Sequence, residues 1–502
     1  MTQKTIVVLG LDGLDWELIE VLLERNVLPT LEFVLKKSIV GTIWGYPPHT
    51  APIWVSMRTG VKPRKHGIFD FFKPYSGKLV TPYDICYPRI WDMLAVHGLR
   101  SAVIGVFLEE PSMVSPKYTH IIADRLLVSK PLFNSADFMY KLISHGYIPQ
   151  IFTIIHNKYL VKKLWIKTTA ALCDLVYYFR NNYTLLWIEL NIPDMLLHMF
   201  PNYVYKAKYF DKLFLGIDKF VRKLKDVYDV LIIVSDHGFK AIKAYNIMLI
   251  LYRLGLLNLA VNENYRSKIS TNIMELLFNK GNRKILSLIW LALKNGTLRR
   301  SIRKTLKIIG TDLPLKPDTK TSIIYPPIRI YSRPNVSRRL VVNNTEAAEI
   351  LVTKLGKVFS KLEGFRGIIE AEKFFEISKP YRANNMIEYI VLLSSGYGLE
   401  DRIYSGFFTK IYDHDPGGVF IMFNGEERRE DVGIIHPEDI VPTILAYLKL
   451  PIPADTDGKI LGSVMKESVE LPRLNYLAKW KIVRRIAKVR SNIAARKLDS
   501  TI

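Results

Sequence analysis

The sequence predicts an α/β fold: a largely parallel central sheet flanked by helices, with a helical insertion and a smaller α+β region. Three observations carry that expectation. Short apolar runs alternate with amphipathic helical stretches through the first half of the chain. Three of those runs lead into an aspartate, Asp12, Asp194 or Asp236, at the strand ends where open α/β sheets gather ligands. The chain has 502 residues, 49% of them hydrophobic and 24% charged, enough for one large domain with insertions or two domains.

In chain order, Ile6 to Leu11 reads as a buried strand ending at Asp12-Gly13, followed by a helix from about Asp15 to Arg25. Pro29 and Thr30 open a second helix through Lys37, and Ser38 to Ile43 returns as a strand. Next comes Tyr46-Pro-Pro-His-Thr-Ala-Pro-Ile-Trp54, in which Thr50 stands between stiffening prolines at a helix start. A helix over Ile90 to His97 and a strand over Ser101 to Phe107 continue the alternation, which blurs between Val114 and Arg180. Thr184 to Leu190 and Val230 to Val234 are strands on either side of a helix over Phe210 to Val227. Ala244 to about Pro327 reads as a helical, basic insertion, and residues 328 to 425 as a smaller α+β region. The latter closes on a strand from Val419 to Phe423, and a helix over Ile440 to Leu448 follows.

Composition narrows the partners. The net charge is +24, from 71 basic against 47 acidic residues, which favours anionic ligands or a solvated basic surface. Cys86 and Cys173 are the two cysteines and form no CxxC, so a metal is expected on histidines and carboxylates. Neither a Walker-type loop nor an aromatic-interleaved nucleic-acid motif is present, and specific nucleic-acid recognition is not expected. The best candidate for a membrane span, Ala244 to Val261, is interrupted by Asn246, Arg253, Gly255 and Asn258, and reads as one or two core helices. With no signal-peptide pattern at the N-terminus, the expected location is cytoplasmic.

The chemistry-bearing residues fall into short clusters. Asp194 and His198 are spaced i, i+4, so on a helix they share a face and can share a cation. Asp236 and His237 stand together at a strand end, and Asp12 adds a third carboxylate. Two cations roughly 4 Å apart suit phosphoryl transfer. One lowers the pKa of an attacking hydroxyl, for which Thr50 is the candidate, and the other polarises a phosphoryl oxygen. Taken singly, each cluster has a plainer reading: Asp12-Gly13 as a turn, Asp194 and His198 as a surface pair, Thr50 as a helix cap. Their joint order at strand ends favours a site.

Together these segments resemble the type I phosphodiesterase/nucleotide pyrophosphatase branch of the alkaline phosphatase superfamily. The resemblance runs through Leu11-Asp-Gly13, Leu28-Pro-Thr-Leu31, Thr50-Ala-Pro-Ile-Trp54, Thr59-Gly60 and His66-Gly-Ile68. It continues through Pro193-Asp-Met-Leu-Leu-His198, Ser235-Asp-His-Gly238, His414-Asp-Pro-Gly-Gly-Val-Phe420, Asp439-Ile-Val-Pro-Thr-Ile-Leu445 and Asp455-Thr-Asp-Gly458. It implies an alkaline phosphatase-like core over residues 1–243 and 402–465, an insertion or cap over 244–401, and a separate basic tail over 471–502. It also implies that Asp194, His198 and His414 hold one metal, typically zinc. Asp12, Thr50, Asp236 and His237 would hold the other, with Thr50 forming a covalent phospho-enzyme. The expected activity is hydrolysis of phosphodiester or pyrophosphate bonds in a small phosphate ester or nucleotide.

One departure bears on substrate. Family members that cleave nucleotides carry an Asn shortly after His-Gly-Ile, and here Phe71 occupies the equivalent place. A sulfatase is disfavoured because Trp54 stands where that nucleophile segment needs Arg. The alternatives are a phosphotransferase or phosphomutase on the same fold, and a membrane-surface binding protein with a vestigial site. The tail motivates the last: Ile482, Ile486, Val489 and Ile493 recur at helical spacing among Lys481, Arg484, Arg485, Lys488 and Arg490. Trp480 could anchor such a helix at an acidic membrane surface, giving a peripheral location; a helix docked on the domain is the competing reading.

Overall fold

The computed structural model describes residues 4–73, 78–109, 114–123, 132–149, 157–257, 259–261, 315–317, 324–325, 339–342, 348–376, 387–400, 408–426, 428–462, 471–482 and 485. The chain divides into two compact units, one of residues 1–74, 78–240 and 414–502, the other of residues 75–77 and 241–413.

The first unit is organised on a nine-stranded sheet: β1 (Ile6–Leu11), β2 (Ile39–Ile43), β3 (Ser101–Val106), β4 (Thr119–Ala123), β5 (Leu132–Phe133), β6 (Leu185–Leu190), β7 (Val230–Val234), β8 (Gly418–Phe423) and β9 (Glu430–Ile435). Their spatial order is β9-β2-β8-β7-β1-β6-β3-β4-β5. Strand β1 pairs in parallel with both β6 and β7, β6 with β3, β3 with β4 and β9 with β2. Only β8 and β5 run against their neighbours. Every residue of β1, β3, β6 and β7 is buried, which is why these strands read as unbroken apolar runs rather than alternations. The sheet is thus largely parallel and helix-flanked, as the sequence predicts.

Helices α1 (Trp16–Glu24), α2 (Pro29–Leu35), α3 (Thr50–Thr59), α4 (Lys158–Asn182), α5 (Asp194–Met199), α6 (Asp211–Val227) and α7 (Ile440–Tyr447) supply the connections that matter for the site. Asp15 caps α1 by accepting from Leu18 N. Helix α3 is buried along all ten residues and ends at Gly60, whose φ of 73° is the left-handed conformation a helix C-terminus favours. The 25-residue α4 lies in the stretch where the sequence pattern blurs. Its solvent side mixes exposed Tyr159, Leu160 and Tyr177 with its lysines, which masks the apolar stripe formed by Val161, Trp165, Leu172, Leu175 and Phe179.

The second unit carries a four-stranded antiparallel sheet, ordered Ile324–Tyr325, Arg339–Val342, Ile387–Leu393, Phe365–Glu370. It shares an apolar core with the helix Ala348–Phe359 through Leu340, Val342, Leu355, Phe359 and Val391. The start of the expected helical insertion is corrected: Gly238–Asn246 is a strand, with Lys243 to Asn246 paired in parallel to Tyr397–Glu400, and the helix begins at Ile247. Residues 262–314, most of that expected helical region, lie outside the described residues.

The tail reading also changes at one residue. Trp480 is 5% exposed and Tyr476 1%, on a helical segment over 476–482. Tyr476 Oη donates to Pro451 O at 2.9 Å and stands 2.7 Å from His97 Nε2, so this segment docks on the core and Trp480 is no interfacial anchor. Ile486, Val489, Ile493, Arg484, Lys488 and Arg490 lie outside the described residues. Among the described residues, no helix is long and apolar enough to cross a membrane.

Candidate active site

All seven candidate residues belong to the first unit, and six of them form two groups whose candidate ligand atoms lie within 4.8 Å of one another in each: Asp194, His198 and His414, and Asp12, Asp236 and His237. In the first group, Asp194 Oδ1 is 3.2 Å from His198 Nε2 and 3.0 Å from His414 Nε2. Helix α5 provides the i, i+4 spacing. His414 uses Nδ1 to donate to Pro48 O at 3.0 Å, which leaves its Nε2 lone pair facing Asp194 and His198. The two Nε2 atoms stand 2.9 Å apart. Burial alone would raise Asp194, but His198 and His414 outweigh it and hold the carboxyl well below its ordinary range.

The second group is more deeply enclosed. His237 Nε2 is 3.4 Å from Asp12 Oδ1 and 3.3 Å from Asp236 Oδ2, while its Nδ1 donates to Gly238 O at 3.1 Å. Thr50 Oγ1 lies 3.2 Å from the same Nε2. Burial, reinforced by the facing Asp236, raises Asp12 well above the usual carboxylate range. Burial pushes Asp236 to about 7 and depresses the His237 imidazole. Asp12 Oδ1 and both Asp236 carboxylate oxygens find no hydrogen-bond donor among the described residues. Buried carboxylates without donors, facing a convergent imidazole lone pair, are the donor set a divalent cation satisfies.

Thr50 is the first residue of α3, and the preceding cap residue, His49, makes no side-chain capping bond. The plain cap reading of Thr50 therefore does not hold: its hydroxyl is turned to His237 instead. The helix also presents its first-turn amides at this point, because the opening N–H groups of a helix have no intrahelical acceptor.

Residues that sequence reasoning did not assign hold the loops together. Asp15, besides capping α1, accepts from Phe239 N at 3.0 Å, and burial raises its pKa to about 6. Ser235 Oγ accepts from Leu14 N and donates to His237 O, both at 2.9 Å. These bonds tie the loop after β1 to the loop after β7. Gly13 adopts φ 76°, and a Cβ there would come within 2.9 Å of Asp194 Cα, so glycine lets the loops carrying Asp12 and Asp194 meet. Phe239 sets its ring edge-on to His198 at 4.7 Å, and Tyr205 Oη donates to Phe239 O at 3.1 Å. Asp15 was legible as a helix start only; its second bond depends on a strand more than two hundred residues away.

His66, although part of the recognisable motif, takes no place in either group. Its Nδ1 accepts from Ile68 N at 3.1 Å, leaving Nε2–H to donate to Ser56 Oγ at 2.9 Å, and burial lowers its pKa to about 3. Phe71 packs against the core, its ring 5.9 Å from that of Phe107, and offers no side-chain donor.

Sheet, helices and strand-end loops together have the alkaline phosphatase-like architecture. The family model for type I phosphodiesterase / nucleotide pyrophosphatase matches residues 6–283, and the chain belongs to that family. Its members are generally metal-dependent phosphoester hydrolases. No curated protein sequence matches the chain. Among solved structures, the phosphonoacetate hydrolase of Sinorhizobium meliloti 1021 is similar in two complexes. With phosphonoacetate it shows 12% identity and a TM-score of 0.52, and with phosphonoformate 11% and 0.52; each alignment covers 97% of this chain and 96% of that one. Murine ectonucleotide pyrophosphatase / phosphodiesterase 5 aligns at 11% identity and a TM-score of 0.48, over 91% of this chain and 98% of that one. At these identities the hydrolase likeness is one of fold.

Proposed function

We propose that this protein is a two-metal hydrolase that cleaves phosphodiester or pyrophosphate bonds through a phosphothreonine formed at Thr50. The observation that carries the reading is the Thr50 hydroxyl, 3.2 Å from His237 Nε2 at the mouth of a buried carboxylate–imidazole group. Asp194, His198 and His414 would hold one cation, and Asp12, Asp236, His237 and Thr50 the other. The mixture of three imidazoles with carboxylates and no thiolate fits zinc. When bound, the two cations lower the pKa of the Thr50 hydroxyl and neutralise charge on the phosphoryl oxygens.

The chain supplies the rest. Thr50 Oγ forms a bond to phosphorus as the bond from phosphorus to the leaving oxygen breaks; water then attacks the phosphothreonine and restores the hydroxyl. Burial of α3 keeps the nucleophile in one place, and its N-terminal dipole favours the anion there. Ser235 and Asp15 hold the Asp12 and His237 loops in register. Phe71 removes the side-chain donor that nucleotide-cleaving members place near the phosphoryl group, which weighs against a nucleotide as the substrate.

A turnover panel tests it. Zinc-loaded protein is offered a nucleotide diester, a nucleoside triphosphate, a lipid-type phosphodiester and simple monoesters. Turnover of at least one diester or pyrophosphate, lost on chelation and restored by zinc, is expected. Failure on both diesters and on the triphosphate overturns the reading, whether or not a monoester turns over. A phosphoryl group passed to an added alcohol instead of water would make the protein a transferase.

A further inference from the structure

Arg58 carries a charge into the core two helical turns after Thr50, on the same helix, and the reaction as described has no use for it. It is 1% exposed. Its Nε donates to Glu189 Oε1 at 2.7 Å, its Nη2 donates to Glu189 Oε2, and its Nη1 donates to Phe107 O at 2.7 Å. The guanidinium lies 4.8 Å from the Phe107 ring centroid. Glu189 also accepts from Trp187 Nε1 at 2.7 Å, so both partners are held from several sides.

The position of this pair on the sheet gives it meaning. Glu189 of β6 is in register with Gly10 of β1, two residues before Asp12. Trp54, one turn before Arg58 on α3, fills the notch at Gly10: a Cβ there would lie 2.4 Å from Trp54 Cη2 and 3.2 Å from Glu189 Cγ. Two contacts at i and i+4 thus pin one face of the nucleophile helix to the two strands that end at Asp12 and lead to Asp194. A well-packed apolar pair could give comparable stability at such a site; a bidentate guanidinium–carboxylate contact adds a fixed distance and angle.

We infer that the Arg58–Glu189 pair, with Trp54 seated on Gly10, is a positioning device that fixes how far α3 advances along the sheet. It thereby sets where the Thr50 hydroxyl stands relative to Asp12, Asp236 and His237. The consequence for catalysis rests on the proposed function; the geometric claim does not. The far end of α3 is held separately, through Thr456 Oγ1 donating to Gly60 O at 2.7 Å, so loss of the pair shifts the helix without releasing it.

The test uses the zinc-loaded full chain with Glu189→Gln, which keeps shape but weakens the pair, and Arg58→Lys, which keeps charge but loses the fork. Each variant is expected to retain its zinc content and its KM within about twofold while kcat falls roughly 10- to 100-fold, the size of effect a misplacement near 1 Å produces. A pair that merely neutralised buried charge would leave Arg58→Lys at wild-type kcat, and that result overturns the inference. If Glu189→Gln does not fold, Arg58→Lys alone decides. A crystal structure of either variant gives a readout independent of turnover: the Thr50 Oγ1 to His237 Nε2 distance should change by about 0.5 Å or more. An unchanged distance overturns the inference. Absence of any turnover by the wild type rejects the functional reading instead, and the distance then decides the positioning claim.

Discussion

The His237 and His414 rings are stacked, with centroids 3.7 Å apart and planes inclined by 23°, and each belongs to a different candidate ligand group. The two groups therefore share a wall. His414→Ala is expected to remove one bound ion of two and to weaken the remaining one, by at least about tenfold as for lost supporting contacts. Calorimetric titration with zinc checks this. Two ions bound at wild-type affinity would show that His414 is no ligand.

Acid should compete with the metal. In the metal-free protein, burial holds Asp236 at about 7 and Asp12 well above its ordinary value. A carboxyl raised in the folded state binds more protons folded than unfolded between pH 3.8 and about 7, so the contribution of Asp236 to the stability of metal-free protein falls as pH rises through that window. Zinc uptake near neutral pH releases protons, and affinity rises with pH. Melting curves across pH with and without zinc, and calorimetry in buffers of different ionisation enthalpy, measure both trends. An Asp236→Asn variant whose metal-free stability changes between pH 4 and 7 just as the unsubstituted protein's does would contradict the prediction.

His66 should act in the opposite direction. Its folded pKa of about 3 lies below the ordinary 6.5, so the folded state binds fewer protons in between. Its contribution is intact above pH 6.5 and falls by about 1.4 kcal/mol for each unit below, until the folded pKa is reached. His66→Gln should flatten the acid limb of a stability–pH profile. An unchanged slope would mean that other groups govern it.

Trp480→Ala should cost about 3–5 kcal/mol, the usual penalty for emptying a buried aromatic site. Denaturant unfolding measures it. A loss below about 1 kcal/mol would mean that the 476–482 segment is not docked as described.

The candidate site was readable because its parts obey local rules. Asp12 and Asp236 follow apolar runs that could only be buried strands, and Asp194 with His198 carries helical spacing on its face. His414 was different: residue spacing did not separate it from His436, and it was singled out by the family resemblance together with the glycines and the strand that follow it. The structure places His414 beside Asp194 and makes His436 the cap of a one-turn 3-10 helix. What could not be read depends on distant partners. Asp15 and Ser235 bind across loops more than two hundred residues apart, and no period in the sequence links Arg58 to Glu189. Helix α4 escaped for another reason, since exposed Tyr and Leu residues dilute its amphipathic contrast.

The central claim is that Thr50 becomes phosphorylated. Zinc-loaded protein quenched in acid during turnover of a diester should carry one phosphoryl group on the peptide containing Thr50, seen by mass spectrometry. Thr50→Ala protein should carry none and should lose turnover while keeping the Asp194, His198 and His414 metal. Full turnover by Thr50→Ala protein, or a phosphoryl group trapped on another residue, would contradict it.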